Sequence, residues 1–441
     1  MLAELGIGSV EDLFRDIPKK ARMGRIGLKP SMEEPALVDL VRGILSKNKP
    51  VSGFDSFLGG GVYTRYTPAV VDGLLQRSEY YTSYTPYQPE ASQGTLQAMF
   101  EFQSLWVELS NLEVANASLY DGATALAEGV LMALRLHPGK RVLVPGSLNW
   151  ERRSVIENYS HGTGVELVDI PWDPTTGLLD IDFIAREARK DVAAVVVEIP
   201  DSFGLLDVRL PSLKSTLGEV PLVVYADPLS LSLLEPPGSW GADIVAGEGQ
   251  GFGLPLSYGG PHLGLLAARL SAVRQLPGRL VGVTQDADGR RAFTLTLGTR
   301  EQHIRRSRAT SNVCTNHSLM ALAFLAYATA MGPRGLRRLA EAQHAAVGSL
   351  VTALQGTRHL QVPRFKTPYL FDVAIGVEGA TVDQFLSAML ERKIFAGVPL
   401  DDPRPVASHP RLNAFLATAG PEIDAKAIAR YASAARAFGG A

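Results

Sequence analysis

Residues 192–251 read VAAVVVEIPDSFGLLDVRLPSLKSTLGEVPLVVYADPLSLSLLEPPGSWGADIVAGEGQG, and the apolar runs within them decide the fold. The runs at 192–199, 221–226 and 243–246 are too short for helices and apolar at nearly every position, as strands covered on both faces are. Similar runs at 141–144, 165–170 and 263–268 extend the series, with helical patterns at 150–159 and 182–189 between them. Strands alternating with helices predict a doubly wound α/β domain on a mainly parallel sheet.

In such a sheet ligands sit beyond the carboxyl ends of the strands. Asp201, Asp227, Glu248 and Gln250 stand there. Asp227 is the best placed, because a carboxylate ending a buried strand can hold a pyridinium nitrogen protonated by charge pairing. The competing reading is a helix cap, since Pro228 and Ser230 follow.

Upstream, residues 80–129 combine a polar aromatic loop, a helix and a second turn. Pro86 and Pro89 fix their own φ and push Thr85 and Gln88 towards extended backbone, which holds Tyr84, Tyr87 and Gln88 on a stiff frame. Loops of this kind carry sites, and others are only packed turns or subunit contacts. From Ala91 the residues Leu96, Met99, Phe100, Leu105, Trp106 and Leu109 recur at spacings near three and four, predicting a helix with Ser92 as its cap. SLYDGATA, from Ser118, then opens a helix over 123–136. A glycine turn at a helix N-terminus presents free N–H groups that suit phosphate, although most such turns bind none.

The 441 residues allow two or three domains. With 43 Lys+Arg against 45 Asp+Glu the net charge is −2, which leaves no electrostatic footprint for nucleic acid. The single cysteine, Cys314, excludes an internal disulfide framework, suits a reducing cytoplasm and is expected to pack rather than react. No basic segment followed by an apolar core opens the chain, so no signal peptide is expected. The longest apolar run, 319–331, falls short of the roughly 18 residues of a membrane span and reads as a buried helix. A cytoplasmic protein without nucleic-acid or membrane partners is expected.

Residues 1–60 read as an N-terminal helical arm with capping boxes at Ser9 and Ser31, 61–330 as the large domain, and 331–441 as a small α+β domain. In the last, 370–377 is extended and 381–393 helical behind a Thr381 cap. Gly59, Gly60 and Gly61 permit positive φ or a close backbone approach, or form a flexible turn. Residues 286–290 read as a hairpin tip. Arg300, Arg305, Arg306 and Arg308, with His303, could grip an anion or form a solvated face.

The stretches FLGGGVY, YTPYQPEASQGTLQAMFEFQ, VANASLYDGATALAE, QLPGRLVG, TLTLGTREQHIRR and ATSNVCTNHSLMALA cover nearly the whole chain. They resemble the glycine decarboxylase P-protein of the glycine cleavage system, and within it the N-terminal half that some bacteria make as a separate subunit. The likeness thins beyond about Ala407. It implies the fold type I architecture of pyridoxal phosphate aminotransferases, with a large α/β domain and a smaller C-terminal α+β domain.

In the catalytic half of that family a His-Lys pair follows a strand, and the lysine holds pyridoxal phosphate as a Schiff base. Over the same pattern this chain has Gln250 and Gly251, and no lysine lies between Lys214 and Lys366. The resemblance therefore implies a degenerate cofactor pocket, with Asn116, Ser118, Tyr120, Asp121, Asp227, Gln250 and Gly251 as remnants, and no residue of this chain acting by covalent chemistry. It implies that pyridoxal phosphate sits on a homologous partner subunit, in a pseudo-symmetric pair or its doubled heterotetramer. That assembly would decarboxylate glycine and pass the aminomethyl group to the lipoyl group of H-protein, with this chain inactive alone. Tyr84, Tyr87, Gln88, Glu90 and Gln93 are then expected to wall the shared site in trans, without a metal. Two alternatives stay open: a scaffold or H-protein docking subunit, and an independent enzyme holding its cofactor noncovalently.

Overall fold

Six of the apolar runs become strands of one seven-stranded sheet. Its members are β1 (Val114–Ala115), β2 (Arg141–Pro145), β3 (Glu166–Ile170), β4 (Val192–Ile199), β5 (Leu222–Ala226), β6 (Ile244–Glu248) and β7 (Gly264–Ala268). Their order across the sheet is β1-β7-β6-β5-β4-β2-β3. Neighbours from β3 through β6 are parallel, and β7 runs antiparallel to β6 and β1. Every residue of β4 to β7 is buried, which is why these runs lack polar alternation. Val195, Val197 and Val224 join the core on one face, while Val196, Val223 and Ala246 join the core on the other.

The structure, a computed structural model, describes residues 1–24, 26–401 and 412–439 and divides into two compact units, 1–53 and 54–441. In the first unit Ser9 precedes a short turn of helix, Val10–Phe14, and its N–H donates to Asp12 Oδ2 at 2.8 Å. The helix α1 (Glu34–Leu45) starts with Glu33 as its cap and proline in its first turn, so Ser31 lies outside it. α1 buries none of its residues.

In the second unit α2 (Gln93–Ser110) sends Phe102 and Trp106 into one core, and α3 (Gly122–Leu136) sends Ala125, Leu126 and Val130 into the other. Each such large apolar side chain contributes roughly 1.5–3 kcal/mol by leaving water. Ser92 stands at the cap position of α2, yet its side chain makes no capping bond; its φ of −126° and ψ of 25° differ from the extended backbone of a capping residue. Next on the described sheet face comes α4 (Trp150–Ser160), capped by the Asn149 side chain. The hairpin β8 (Leu280–Gln285) and β9 (Arg291–Thr296) turns where expected, with Asp286 Oδ1 accepting from the N–H groups of Asp288 and Arg290 at 2.9 Å each.

Helix α5 (Ser318–Leu354) is longer than its apolar run, and by length and composition it could cross a membrane. Gly332, at φ 62° and ψ 173°, breaks it ahead of Pro333, and Ala323, Phe324 and Tyr327 of its first half are fully buried in the core. A second sheet holds β10 (Leu360–Gln361), β11 (Asp372–Val377), β12 (Val398–Pro399) and β13 (Ala414–Thr418) in the order β10-β11-β13-β12, all antiparallel. Helices α6 (Val382–Glu391) and α7 (Ala425–Arg436) pack on it, and Thr381 caps α6 by accepting from Gln384 N–H at 3.2 Å. Asp55 and Ser56 pair with Ile394 and Phe395, and Phe57 is buried among the side chains of this layer. The glycines that follow form no loose turn: Gly60 and Gly61 adopt φ of 89° and 105°, so the backbone itself demands glycine.

Candidate functional site

A cavity of about 750 Å³ lies beyond the carboxyl ends of β2, β4, β5 and β6, where a doubly wound sheet places its ligands. Its wall draws on the segments after those strands, on the first turn of α3, on residues 59–63, and on Asp372 of β11.

Asp227 lines this cavity and fulfils the capping reading of its position. Its Oδ1 accepts from the N–H groups of Leu229 (2.8 Å) and Ser230 (3.0 Å), so it caps the turn after β5. Its Oδ2 pairs with a cation, but the cation is Arg65, whose Nη2 lies 3.4 Å away. Arg65 is buried, donates from Nε to Gln343 Oε1 at 3.1 Å, and sits 4.4 Å above the Tyr63 ring. Its guanidinium fills the space beside Gly251: a Cβ there would overlap Nη1 and lie 3.1 Å from Cζ.

Gln250 and Gly251 are not on the cavity wall. The Gln250 amide is spent on backbone, accepting from Tyr63 N–H (2.9 Å) and donating to the carbonyls of Tyr63 (3.0 Å) and Leu254 (2.6 Å). It thereby fixes the segment that carries Arg65.

The phosphate-type turn also has an internal occupant. Asp121 caps α3, accepting from Thr124 N–H at 2.8 Å. Glu248, from the end of β6, accepts the Gly122 N–H at 2.8 Å with Oε2, and those of Gln250 (2.8 Å) and Leu263 (3.1 Å) with Oε1. Burial pushes the Glu248 carboxyl up to about 7 against these three bonds. Burial likewise raises Asp372 to about 6, although Tyr63 Oη and Gly60 N–H both donate to it, and Asp201 to about 8. The residues present do not fit pyridoxal phosphate: position 251 has no amine, Asp227 already faces a cation, and two carboxylates stand where the phosphate would seek N–H groups.

Asn116, Ser118 and Tyr120 lie off the cavity and brace the chain. Asn116 donates to Pro277 O (2.9 Å) and accepts from Ser118 N–H (3.2 Å). Ser118, at φ 101°, accepts from His317 N–H at 3.1 Å, and the Tyr120 ring lies 5.3 Å from that of His317. Tyr120 Oη accepts from the N–H of Cys314 at 3.3 Å, and Cys314 is exposed rather than packed.

The aromatic loop is a separate feature, since none of Tyr84, Tyr87, Gln88, Glu90 and Gln93 lines the cavity. Its inner side is stitched down. Gln93 donates to the carbonyls of Pro89 (2.7 Å) and Phe293 (2.8 Å) and accepts from Phe293 N–H (2.9 Å), so both its amide N–H groups are spent on backbone. Arg279, buried, donates to Thr85 Oγ1 and Asn316 Oδ1 at 3.1 Å each and lies 5.8 Å from the Tyr87 ring. Its outer side is free: Tyr84 is 78% and Tyr87 56% exposed, and Gln88 and Glu90 are exposed as well.

Sequence reasoning missed Arg65, Ser147, Arg152 and Asp372. Arg152 pairs with Glu198 at 2.8 Å where both are buried. The arginine run does not act as one unit. Arg300 is buried against the carbonyls of Leu276, Gly278 and Leu297, whereas Arg305, Arg306 and Arg308 are exposed.

The seven-stranded sheet, its cleft and the small antiparallel domain define the fold type I class of pyridoxal phosphate enzymes. The structure of Burkholderia pseudomallei sphingosine-1-phosphate lyase matches with a TM-score of 0.64 at 15% identity, covering 95% of this chain and 93% of that one. Apo cysteine desulfurase from Thermococcus onnurineus matches at 0.60 and 17%, covering 92% and 98%. These two share the fold alone.

Much nearer is a crystal structure of glycine decarboxylase (P-protein) of the glycine cleavage system in inhibitor-bound form, with a TM-score of 0.88 and 39% identity over 99% of this chain and 96% of that one. A relative in Geobacillus kaustophilus, named "Probable glycine dehydrogenase (decarboxylating) subunit 1", is 42% identical over 432 residues, 97% of this chain and 93% of the relative. One of the same name in Pyrococcus abyssi is 48% identical over 347 residues, 77% of each. The family model for the glycine cleavage system P-protein matches residues 1–402, and the chain belongs to that family.

Proposed function

We propose that this chain is the cofactor-free subunit of a two-chain glycine decarboxylase. With a homologous partner bearing pyridoxal phosphate it releases CO2 from glycine and passes the aminomethyl group to the lipoyl group of H-protein, in a reducing cytoplasm. The relatives' name, subunit 1, supports the existence of a second subunit. The misfit of pyridoxal phosphate beside Arg65 and Glu248 supports placing the cofactor on that partner.

The observation that carries this reading is the loop at 84–93, pinned from within by Gln93 and Arg279 while presenting Tyr84 and Tyr87 outward. Exposed aromatics on rigid backbone lose little entropy when a partner covers them, and they are over-represented at interfaces for that reason. In a shared site the tyrosine hydroxyls and the Gln88 amide would bind the glycine carboxylate or the cofactor phosphate, with Glu90 accepting from one of them to orient it. Two covered tyrosine rings would also exclude water from a carboxylate that must be lost as CO2. The supporting chemistry of electron withdrawal belongs to the partner's cofactor. The apolar face that α1 leaves uncovered suits a chain that works in an assembly.

The test is Tyr87→Phe and Tyr87→Ala in the assembled complex, with size-exclusion chromatography beside turnover. A fall of about tenfold or more in kcat/KM with assembly intact, equivalent to about 1.4 kcal/mol, supports a wall in trans. Unchanged turnover in both variants removes Tyr87 from the site and favours a scaffold.

A further inference from the structure

The residues around the cavity do not fit pyridoxal phosphate, yet the described residues enclose about 750 Å³ of space. We propose that it is a binding site for a small organic ammonium ion with an apolar stem, the ammonium held by Asp201 and Ser147 and the stem by Trp172 and Phe203. The inference stands apart from the glycine reading, because the cavity wall comes from this chain alone.

Charge selects a cation. Asp121, Asp201, Asp227, Glu248 and Asp372 all line the cavity. Among the described residues only Asp227 has a guanidinium at ion-pair distance. The one base near Glu248 is His262, 3.9 Å away, whose own burial favours the neutral ring. Among the described residues the two arginines on the wall are already engaged, Arg152 by Glu198 at 2.8 Å and Arg153 by Glu157 at 2.8 Å and by Asp169. At the start of α3, Glu248 and Asp121 accept from the Gly122 and Thr124 N–H groups, which favours a cation over an anion beside them. A metal ion has no seat either: no three His, Cys, Asp or Glu side chains converge among the described residues.

Polar satisfaction and shape narrow the choice. Ser147 lines the cavity, is only 7% exposed, and its Oγ has no hydrogen-bond partner. A hydroxyl left alone in that way costs about 1–3 kcal/mol, which a ligand N–H donor would recover. The loops after β2 and β4 are joined where Asn149 N–H donates to Ser202 Oγ at 2.9 Å, so Ser147 and Asp201 stand on adjoining loops. Asp201 spends Oδ1 on the N–H groups of Phe203 (2.9 Å) and Leu205 (2.8 Å), leaving Oδ2 for a ligand. Trp172 and Phe203, edge to face at 5.1 Å, complete the wall with ring surface suited to an alkyl or aryl stem and to cation–π contact. Asp201 and Glu248, raised by burial, hold protons near neutrality, and an arriving cation favours their release.

The experiment is titration calorimetry of the purified full chain at pH 7 with phenethylamine and n-butylamine, and with 2-phenylethanol, n-butanol and inorganic phosphate as neutral and anionic comparisons. The amines are expected to bind at least about tenfold more tightly than the alcohols, with phosphate silent. Their heats should depend on the ionisation enthalpy of the buffer, reporting proton release. Asp201→Asn, which can keep both Oδ1 bonds, is expected to weaken the amines about tenfold or more. Ser147→Ala, checked by thermal melting beside it, serves if the first variant does not fold. No heat with either amine, equal binding of amine and alcohol, or wild-type affinity in the folded variant overturns the proposal.

Discussion

The guanidinium of Arg65 occupies the space into which a side chain at Gly251 would grow, so Nη1 of one residue and an added Cβ of the other cannot coexist. The same guanidinium faces Asp227 at 3.4 Å. One side chain thus fills the volume that an anchoring lysine would need and supplies a cation to the carboxylate at the end of β5.

A lysine introduced at position 251 should therefore fail to anchor the cofactor. Gly251→Lys forces Arg65 aside, an overpacking that lowers stability by about 1–3 kcal/mol. Mixed with pyridoxal phosphate, the variant is expected to show no Schiff-base absorption. A strong band in the single variant would mean that Arg65 yields freely.

Removing the guanidinium leaves Asp227 buried without its cation. Arg65→Met is expected to lose about 3–5 kcal/mol in urea unfolding, and Asp227→Asn added to it should recover part of that loss. Equal midpoints for the single and double variants would show that the pair is not coupled.

The sheet was legible because strands such as Val192–Ile199 are buried on both faces and so are apolar at every position but Glu198. Asp227 was legible by position, since a residue ending a central strand must face the cleft. Arg65 was not, because its contacts lie 162 and 278 positions away at Asp227 and Gln343, and only the glycine-directed path of residues 59–63 brings it there. Glu248 was legible as a carboxylate beyond a strand, but its bond to Gly122 spans 126 positions. Asn116, Ser118 and Gln93 drew notice as polar side chains near a turn. Their hydrogen bonds go to backbone far away in sequence, which turned expected site residues into braces.

Stability should fall with rising pH as Asp201, Asp372 and Glu248, all raised by burial, ionise, and the share of Glu248 can be isolated. Its folded carboxyl is raised to about 7, above an ordinary 4.5, so the folded chain binds more protons than the unfolded one between those values. The contribution is full below that window and lost above it, on the order of 3 kcal/mol at most. Urea unfolding at pH 5 and pH 7.5 should show a smaller difference for Glu248→Gln than for the wild type. Parallel pH dependence in the two proteins would remove Glu248 as the cause.

Loosening the aromatic loop should separate stability from surface chemistry. Gln93→Ala abandons Phe293 N–H and two carbonyls, at a cost of about 1–3 kcal/mol, and turnover of the assembled enzyme should fall with it. Tyr87→Phe changes one exposed hydroxyl and should keep stability within about 0.5 kcal/mol. Gln93→Ala at wild-type stability would contradict the stitched loop.

The most direct measurement is glycine-dependent CO2 exchange with lipoylated H-protein, run with this chain alone, with its homologous partner alone and with both. A shared site requires exchange only in the mixture. Exchange from the partner alone at the rate of the mixture would make this chain a scaffold, and exchange from this chain alone would contradict the reading of Gly251 and Arg65 outright.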